Sequence, residues 1–279
     1  VGWTASDAAE VLREPTASDD KYSRGVLGVR TGSESFPGAA VLGVEAAWRT
    51  GVGMVRYLGP ARATDLVLQR RPETVTAEGR VQAWLIGSGT DAARRSVEET
   101  AALREILGGD VPVVVDAGAL DLAPGATAPV VVTPHEREHA RLREVLGLAP
   151  ADARDEAGRR DAARETAVAL RAAVALKGSR TVVATPSGWT AVLPEATPWL
   201  ATAGTGDVLG GAVGAVVASA AAGGAIDVEA LGPLAATGAW LHARAAAAAV
   251  DAAGGGPVTA LDVASRLPAA VASVLHARD

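Results

Sequence analysis

Five short stretches constrain this chain more than anything else in it: VLGVR (26–30), VQAWLIG (81–87), PVVVDAGAL (112–120), PVVVTPHE (129–136) and AVALKG (173–178). Each is apolar at consecutive rather than alternate positions, so neither face of such a strand can be left in water. Between them stand segments of helical pattern, AAVLGVEAAWRT (39–50), ARATDLVLQR (61–70), DAARRSVEETAALREIL (91–107), and two more over roughly 135–147 and 155–171. Short buried strands alternating with helices define a parallel sheet covered on both faces. The expected fold class is therefore α/β: a three-layer sandwich around a mostly parallel central sheet, with ligands beyond the carboxyl ends of the strands.

The rest of the chain fits around that sheet. Val55 to Leu58 returns as a strand after the first helix, TVVATPSG and WTAVL form an appended hairpin, and two alanine-rich helices (228–250 and 258–276) pack one face. SDAAEVLREP, stopped by Pro15, is a short helix within an N-terminal cap of residues 1–20. No linker or internal repeat interrupts the pattern, which makes 1–279 one expected domain. An apolar fraction of 49% over 279 residues is enough for a large core.

Composition excludes several functions. With no cysteine there are no disulfides, thiolate metal sites or cysteine nucleophiles, in keeping with a reducing cytoplasm. A net charge of -6 argues against nucleic acid as a partner. The longest apolar run, 211–226, is rich in glycine and alanine and falls short of a membrane span of about 20 residues. Charged residues throughout the first twenty positions do not suit a signal peptide.

The chemistry concentrates in ATAGTGDVLGGAVGAVVA (201–218). Gly204, Thr205 and Gly206 offer consecutive N–H groups with little side-chain bulk where a loop becomes an apolar helix. The start of that helix brings about half a positive charge to any anion held there. Asp207 at the helix mouth either caps the helix or takes a proton from a hydroxyl that attacks the anion. Other polar and glycine clusters follow predicted strands: Gly32 to Ala39, Gly87 to Asp91, Asp116, Thr133 to Glu138, and Lys177 to Thr181. Any one of them could be a turn or a cap, but all could line one crevice. Lys177 is notable because the chain's only other lysine is Lys21, whereas arginine is abundant. A compact point charge is what a phosphate site would retain.

Two motifs mislead. His135, Glu136 and His139 spell H-E-x-x-H, but Pro134 is expected at the first helical position, which would put His135 in a frayed first turn. His242 and His276 add no metal-ligand spacing. GTGDVLG fits a loose dinucleotide fingerprint, yet it follows no clear strand and lacks the acidic ribose partner.

With GSESFPGA, RPE (71–73), IGSG, VVVDAGAL, TPHERE, LKGSRT and LATAGTGDVLGG in order over nearly the whole chain, the sequence resembles the ADP-dependent NAD(P)H-hydrate dehydratases, which have the ribokinase-like fold. GSGTD stands where that family has GPGLG, TPHERE where it has TPHPGE, and DAGAL where it has DADAL, so that Gly118 replaces the second aspartate.

The resemblance implies a hydro-lyase that returns the S-form of NADH hydrate or NADPH hydrate to NADH or NADPH while ADP goes to AMP and phosphate. It makes Asp207 the catalytic base and Gly204, Thr205 and Gly206 the phosphoryl nest, with Gly206 touching both ligands. Lys177, Gly178, Ser179, Arg180 and Thr181 become nucleotide contacts, and Ala39, Gly89 and His135 hydrate contacts. It also implies Mg²⁺ held by phosphates and water, and a homo-oligomer, commonly a tetramer. ADP rather than ATP is expected, from a composition typical of GC-rich bacteria and the lack of a fused N-terminal domain. The alternatives are a ribokinase-like vitamin kinase for a hydroxymethylpyrimidine or hydroxyethylthiazole, which leaves GSESFPGA and TPHERE unexplained, and a non-catalytic nucleotide-binding regulator.

Overall fold

The computed structural model describes residues 2–152 and 155–276; Val1, 153–154 and 277–279 of the expected domain lie outside the described residues. Eight strands form one sheet: β1 (Val26–Arg30), β2 (Met54–Tyr57), β3 (Ala83–Ile86), β4 (Val113–Val115), β5 (Val130–Val132), β6 (Ala173–Leu176), β7 (Val182–Ala184) and β8 (Thr190–Val192). Their spatial order is β2-β1-β3-β4-β5-β6-β7-β8. Pairing is parallel from β2 to β6, and β6, β7 and β8 pair antiparallel, so the expected hairpin extends the sheet rather than lying apart. The chain leaves β1 toward β2 and returns to the opposite side of β1 as β3. That reversal opens a crevice at the carboxyl ends of β1 and β3.

Consecutive valines serve two cores. Val114 and Val131 join the core under α1 (Ala5–Val11), α2 (Gly38–Thr50), α3 (Ala61–Arg70), α7 (Thr205–Ala221), α8 (Leu231–Ala252) and α9 (Ala260–Leu275). Val113, Val115, Val130 and Val132 join the core on the other face, against α4 (Val97–Leu107), α5 (Glu136–Val145) and α6 (Glu156–Leu170). This is the three-layer arrangement that the all-apolar strands require.

Local differences from the sequence expectations have local causes. The helix expected from Asp91 begins only at Val97, because Ser96 caps it by accepting from Glu99 N at 3.1 Å and Arg95 turns away to Asp121 at 2.7 Å. The N-terminal helix closes at Val11, well before Pro15, as Leu12 turns extended. The N-terminal cap also reaches the sheet: Gly2 bridges to Val192, and Trp3 N donates to the Val192 carbonyl at 2.9 Å.

Pro134 is not the first helical residue of α5. Its carbonyl accepts Lys177 N at 2.9 Å, and the helix starts one residue after His135. His135 is the N-cap, its Nδ1 accepting from Arg137 N and Glu138 N while the Glu138 carboxylate accepts His135 N–H at 2.8 Å. His139 is buried, its Nε2 on Thr166 Oγ1 at 2.9 Å, and burial pushes its pKa down to about 4. The two rings of the H-E-x-x-H string are thus committed to different partners.

Candidate active site

A glycine is required where α7 begins. Gly204 has φ +89°, and a Cβ there would meet the Leu42 side chain at 2.5 Å and the Ala260 methyl at 3.1 Å. Thr205 turns its hydroxyl inward to the carbonyls of Leu200 (2.8 Å) and Thr202 (2.9 Å), which fixes the loop against the helix. Its N–H is directed at the Thr202 carbonyl at 3.4 Å. The N–H groups of Gly204, Gly206 and Asp207 have no main-chain partner among the described residues. They are free donors at the mouth of α7, where the Asp207 N–H joins those of Gly204 and Gly206.

Two side chains flank these donors. Asp207 is partly buried in the first turn, with Oδ2 3.9 Å from where a Gly204 Cβ would stand. The Lys177 ammonium lies 3.7 Å from where a Gly206 Cβ would stand. Burial, and then the charge of Asp116, push the Asp207 carboxyl up to about 7, with Lys177 pulling the other way. A carboxyl that titrates near neutrality at the mouth of an anion nest is suited to general-base work.

The clusters that follow the strands form one connected chain. Lys177, after β6, is ion-paired to Asp116, after β4, at 2.7 Å, and its Nζ is 3.8 Å from Glu138 on α5. Asp116, 3% exposed, also accepts from Thr133 Oγ1 at 2.8 Å, after β5, and from Ser88 Oγ at 3.1 Å, after β3. The Ser88 carbonyl in turn accepts Gly32 N at 2.7 Å, which ties in the GSESFPGA loop after β1. Those turns were legible as a crevice. That Asp116 sits at its centre was not, since the residue reads equally well as a turn cap.

Ala39 lies in the first turn of α2 and is 8% exposed. Gly89 has φ +67°; a Cβ on it would run into the Ala39 methyl and stand 2.9 Å from the Phe36 carbonyl, so the two hydrate-contact candidates are in contact. The turn's departure from the family pattern has a partner as well, since Gly118 packs against Thr90 and leaves no room there for a side chain. Beside them a cavity of about 400 Å³ is lined by Phe36, Thr90, Gly118, Glu138 and Arg141, among others.

The segment 177–181 is divided. Ser179 and Thr181 accept main-chain bonds from Ala196 (2.8 Å) and Leu193 (2.9 Å), fastening the strand that leads to the nest. Gly178 packs on the Arg159 guanidinium. Arg180 pairs with Glu156 at 3.1 Å and lines a cavity with Trp3 and Arg160 to which no nest residue contributes, so it is not brought to the other candidates. His242 is a buried neighbour of the nest that sequence spacing missed. Its ring lies against the Thr205 backbone, Nε2 has no hydrogen-bond partner among the described residues, and burial holds its pKa down to about 4. Among the described residues no group of three or more His, Asp or Glu side chains is arranged to hold a metal.

A doubly covered, mostly parallel sheet thus brings an aspartate and a lysine to the mouth of one helix, an α/β arrangement suited to holding an anion beyond the carboxyl ends of the strands. The NAD(P)H-hydrate dehydratase family model matches residues 27–269, and the chain belongs to that family. It is 46% identical over 233 residues to the bifunctional NAD(P)H-hydrate repair enzyme Nnr of Mycobacterium tuberculosis, covering 78% of this chain and 46% of the relative. The chain therefore spans about half the length of that bifunctional relative. It is 35% identical over 258 residues to the ADP-dependent (S)-NAD(P)H-hydrate dehydratase of Neisseria meningitidis, covering 85% of this chain and 81% of the relative. The crystal structure of the ADP/ATP-dependent NAD(P)H-hydrate dehydratase of Bacillus subtilis, co-crystallised with ATP/Mg²⁺, superposes with a TM-score of 0.81 at 26% identity, covering 98% of both chains.

Proposed function

We propose that the protein dehydrates the S-form of NADH hydrate and NADPH hydrate, with ADP consumed to AMP and phosphate. The observation that carries this reading is Asp207, its carboxyl pushed up to about 7, set beside unpaired first-turn N–H groups and the Lys177 ammonium in a chain of this family. Asp207 takes the proton from the hydroxyl of the hydrated ring as that oxygen attacks the β-phosphorus of ADP; the new P–O bond forms as the bond to AMP breaks. The N–H groups of Gly206 and Asp207 receive the charge that builds on the transferred group. The ring-nitrogen lone pair then expels the phosphate, the adjacent carbon gives up a proton, and the dihydronicotinamide double bond is restored.

Ala39 and Gly89, in contact with each other, and His135, the N-cap of α5, are the contacts proposed for the ring, and the cavity by Phe36 and Arg141 would take part of the remaining dinucleotide. Mg²⁺ would offset phosphate charge. Asp116 already receives Lys177, Thr133 and Ser88, so the residues present fit a metal held by phosphate oxygens and water. A cytoplasmic homotetramer completes the reading; among the described residues no helix is long and apolar enough to cross a membrane. The vitamin-kinase and regulator alternatives are not favoured, given the family match over 27–269 and the presence of both Asp207 and Lys177 at the nest.

The test supplies hydrated NADH with ADP and follows reduced-nicotinamide absorbance and AMP together. The reading requires both to rise in equal amounts. AMP without restored NADH, or no reaction, refutes it. Equal ADP and ATP in competition test the nucleotide: accumulation of AMP from ADP at least about tenfold faster is expected, which takes only roughly 1.4 kcal/mol of discrimination.

A further inference from the structure

Lys177 stands between two carboxylates and is shared unequally. Its Nζ is in direct ion-pair contact with Asp116 at 2.7 Å, and Glu138 is 3.8 Å away. Neither Asp116 nor Lys177 has much access to water, with 4% and 18% of their side chains exposed. Asp116 cannot readily turn, because Thr133 holds one carboxylate oxygen and Ser88 the other. Asp207, by contrast, makes no ion pair among the described residues. We propose that Asp116 is a positioning residue that parks the Lys177 ammonium between itself and the nest, so that the catalytic carboxylate of Asp207 is left without a cation of its own. This inference rests on the proposed role of Asp207 and extends it to a residue with no assigned part in the reaction.

The physical consequence is a division of labour between two aspartates. A lysine paired to Asp207 would make a weak base of it, since an opposite charge in contact lowers a carboxyl by about 1–3 pH units. Held by Asp116, the same ammonium still stands at Gly206, where a phosphate oxygen would reach it. Asp116 also acts on Asp207 directly, its negative charge raising the carboxyl while Lys177 lowers it.

The other titratable groups packed around α7 are committed elsewhere. Glu45 of α2 is held by three arginines, Arg30 of β1 by Glu99, and Asp262 of α9 by the Thr259 cap. His242 of α8 is neutral, and Glu138 of α5 faces Lys177 rather than Asp207.

The experiment is a pair of pH profiles of kcat at saturating hydrate and ADP, for Asp116→Asn and Lys177→Met beside wild type. Asparagine keeps an acceptor for Ser88 or Thr133, frees the lysine for Asp207, and should move the acid limb down by about one pH unit or more. Methionine removes the shared cation and should move it up. Displacements of opposite sign support the inference; an unmoved limb in either folded variant, or two shifts of the same sign, overturns it.

Carboxyl NMR of [¹³C]aspartate-labelled protein gives a second readout that does not need turnover. Wild type should show an aspartate titrating near neutrality that moves up in Lys177→Met, and its failure to move overturns the inference even if Asp116→Asn does not fold. If wild type does not act on the hydrate at all, the proposed function fails, and the same NMR titration in Asp116→Asn, expected to move down and overturning the inference if it does not, still decides whether Asp116 governs the lysine.

Discussion

Asp207→Asn should stabilise the protein while disabling it, and by an amount that depends on pH. Burial and Asp116 raise the Asp207 carboxyl from 3.8 to about 7. That rise of about 3 pH units corresponds to roughly 4 kcal/mol at about 1.36 kcal/mol per unit. The side chain is partly exposed, so about half of this, roughly 2 kcal/mol, is the working figure after solvent screening. The sign follows from proton counting. Between about pH 4 and 7 the folded protein holds this proton and the unfolded chain has released it, so stability falls as pH rises through that window and levels off above it. Asparagine is neutral in both states and shows no such fall. The variant should therefore be more stable than wild type by about 2 kcal/mol near pH 8, a Tm gain of roughly 4–8 °C, and by less than half of that near pH 5. Paired thermal and urea melts at the two pH values measure this directly. A variant less stable than wild type near pH 8, or a gain that is the same at both, would refute the assignment of a raised, burial-strained carboxyl. In the same variant turnover should drop by about 10² to 10⁴, with ADP binding nearly intact.

Lys177→Ala should raise the KM for ADP far more than that for the hydrate, and Lys177→Arg should also lose activity, because a planar fork is a poor substitute for a point charge seated between Asp116 and Gly206; an unimpaired arginine variant in steady-state assays would refute this. Gly89→Ala places a methyl against the Ala39 methyl at a φ of +67°, so hydrate KM should rise at least about tenfold with ADP KM unchanged; saturation curves for each substrate decide. Glu45→Gln breaks a fully buried carboxylate away from Arg49, Arg70 and Arg71 and should destabilise by about 3–5 kcal/mol in urea melts at neutral pH. Its carboxyl is held down to about 2, so this contribution is complete above about pH 4.5 and is lost as pH falls toward 2; a difference unchanged at about pH 3 would count against it.

What the sequence revealed and what it hid divide along a physical line. Buried parallel strands announce themselves because both faces must be apolar, and β1 in the structure has the bounds VLGVR predicts. The nest was legible because Gly204 needs a left-handed backbone that few other residues adopt. Contacts between distant side chains leave no such trace. Asp116 and Lys177 are 61 positions apart, and nothing in either local sequence says that the aspartate belongs to the lysine rather than to its own turn. RPE illustrates the same limit: as a motif it points to the family, but in the fold Arg71 serves mainly to clamp Glu45 between α2 and α3. His242 carried no signal in its spacing at all, since only the packing of α8 against α7 brings it to Thr205.

The departures of this chain from its family's motifs sharpen the point. GSGTD and the glycine of DAGAL are separate changes in the sequence, yet Thr90 fills the space a side chain on Gly118 would need. An aspartate restored at Gly118 would meet the Thr90 backbone, which cannot move without disturbing the Thr90 hydroxyl's bond to the Gly87 carbonyl at 2.7 Å. The two changes therefore meet at one point of the crevice wall. It lies beside the cavity at Phe36, whereas Asp116 is paired with Lys177 and the Lys177 ammonium stands by Gly206. A wall can vary in this way because its contacts are steric and can be exchanged in pairs, whereas Lys177 and Asp116 fix each other through opposite charges, and losing either leaves the other buried and unpaired.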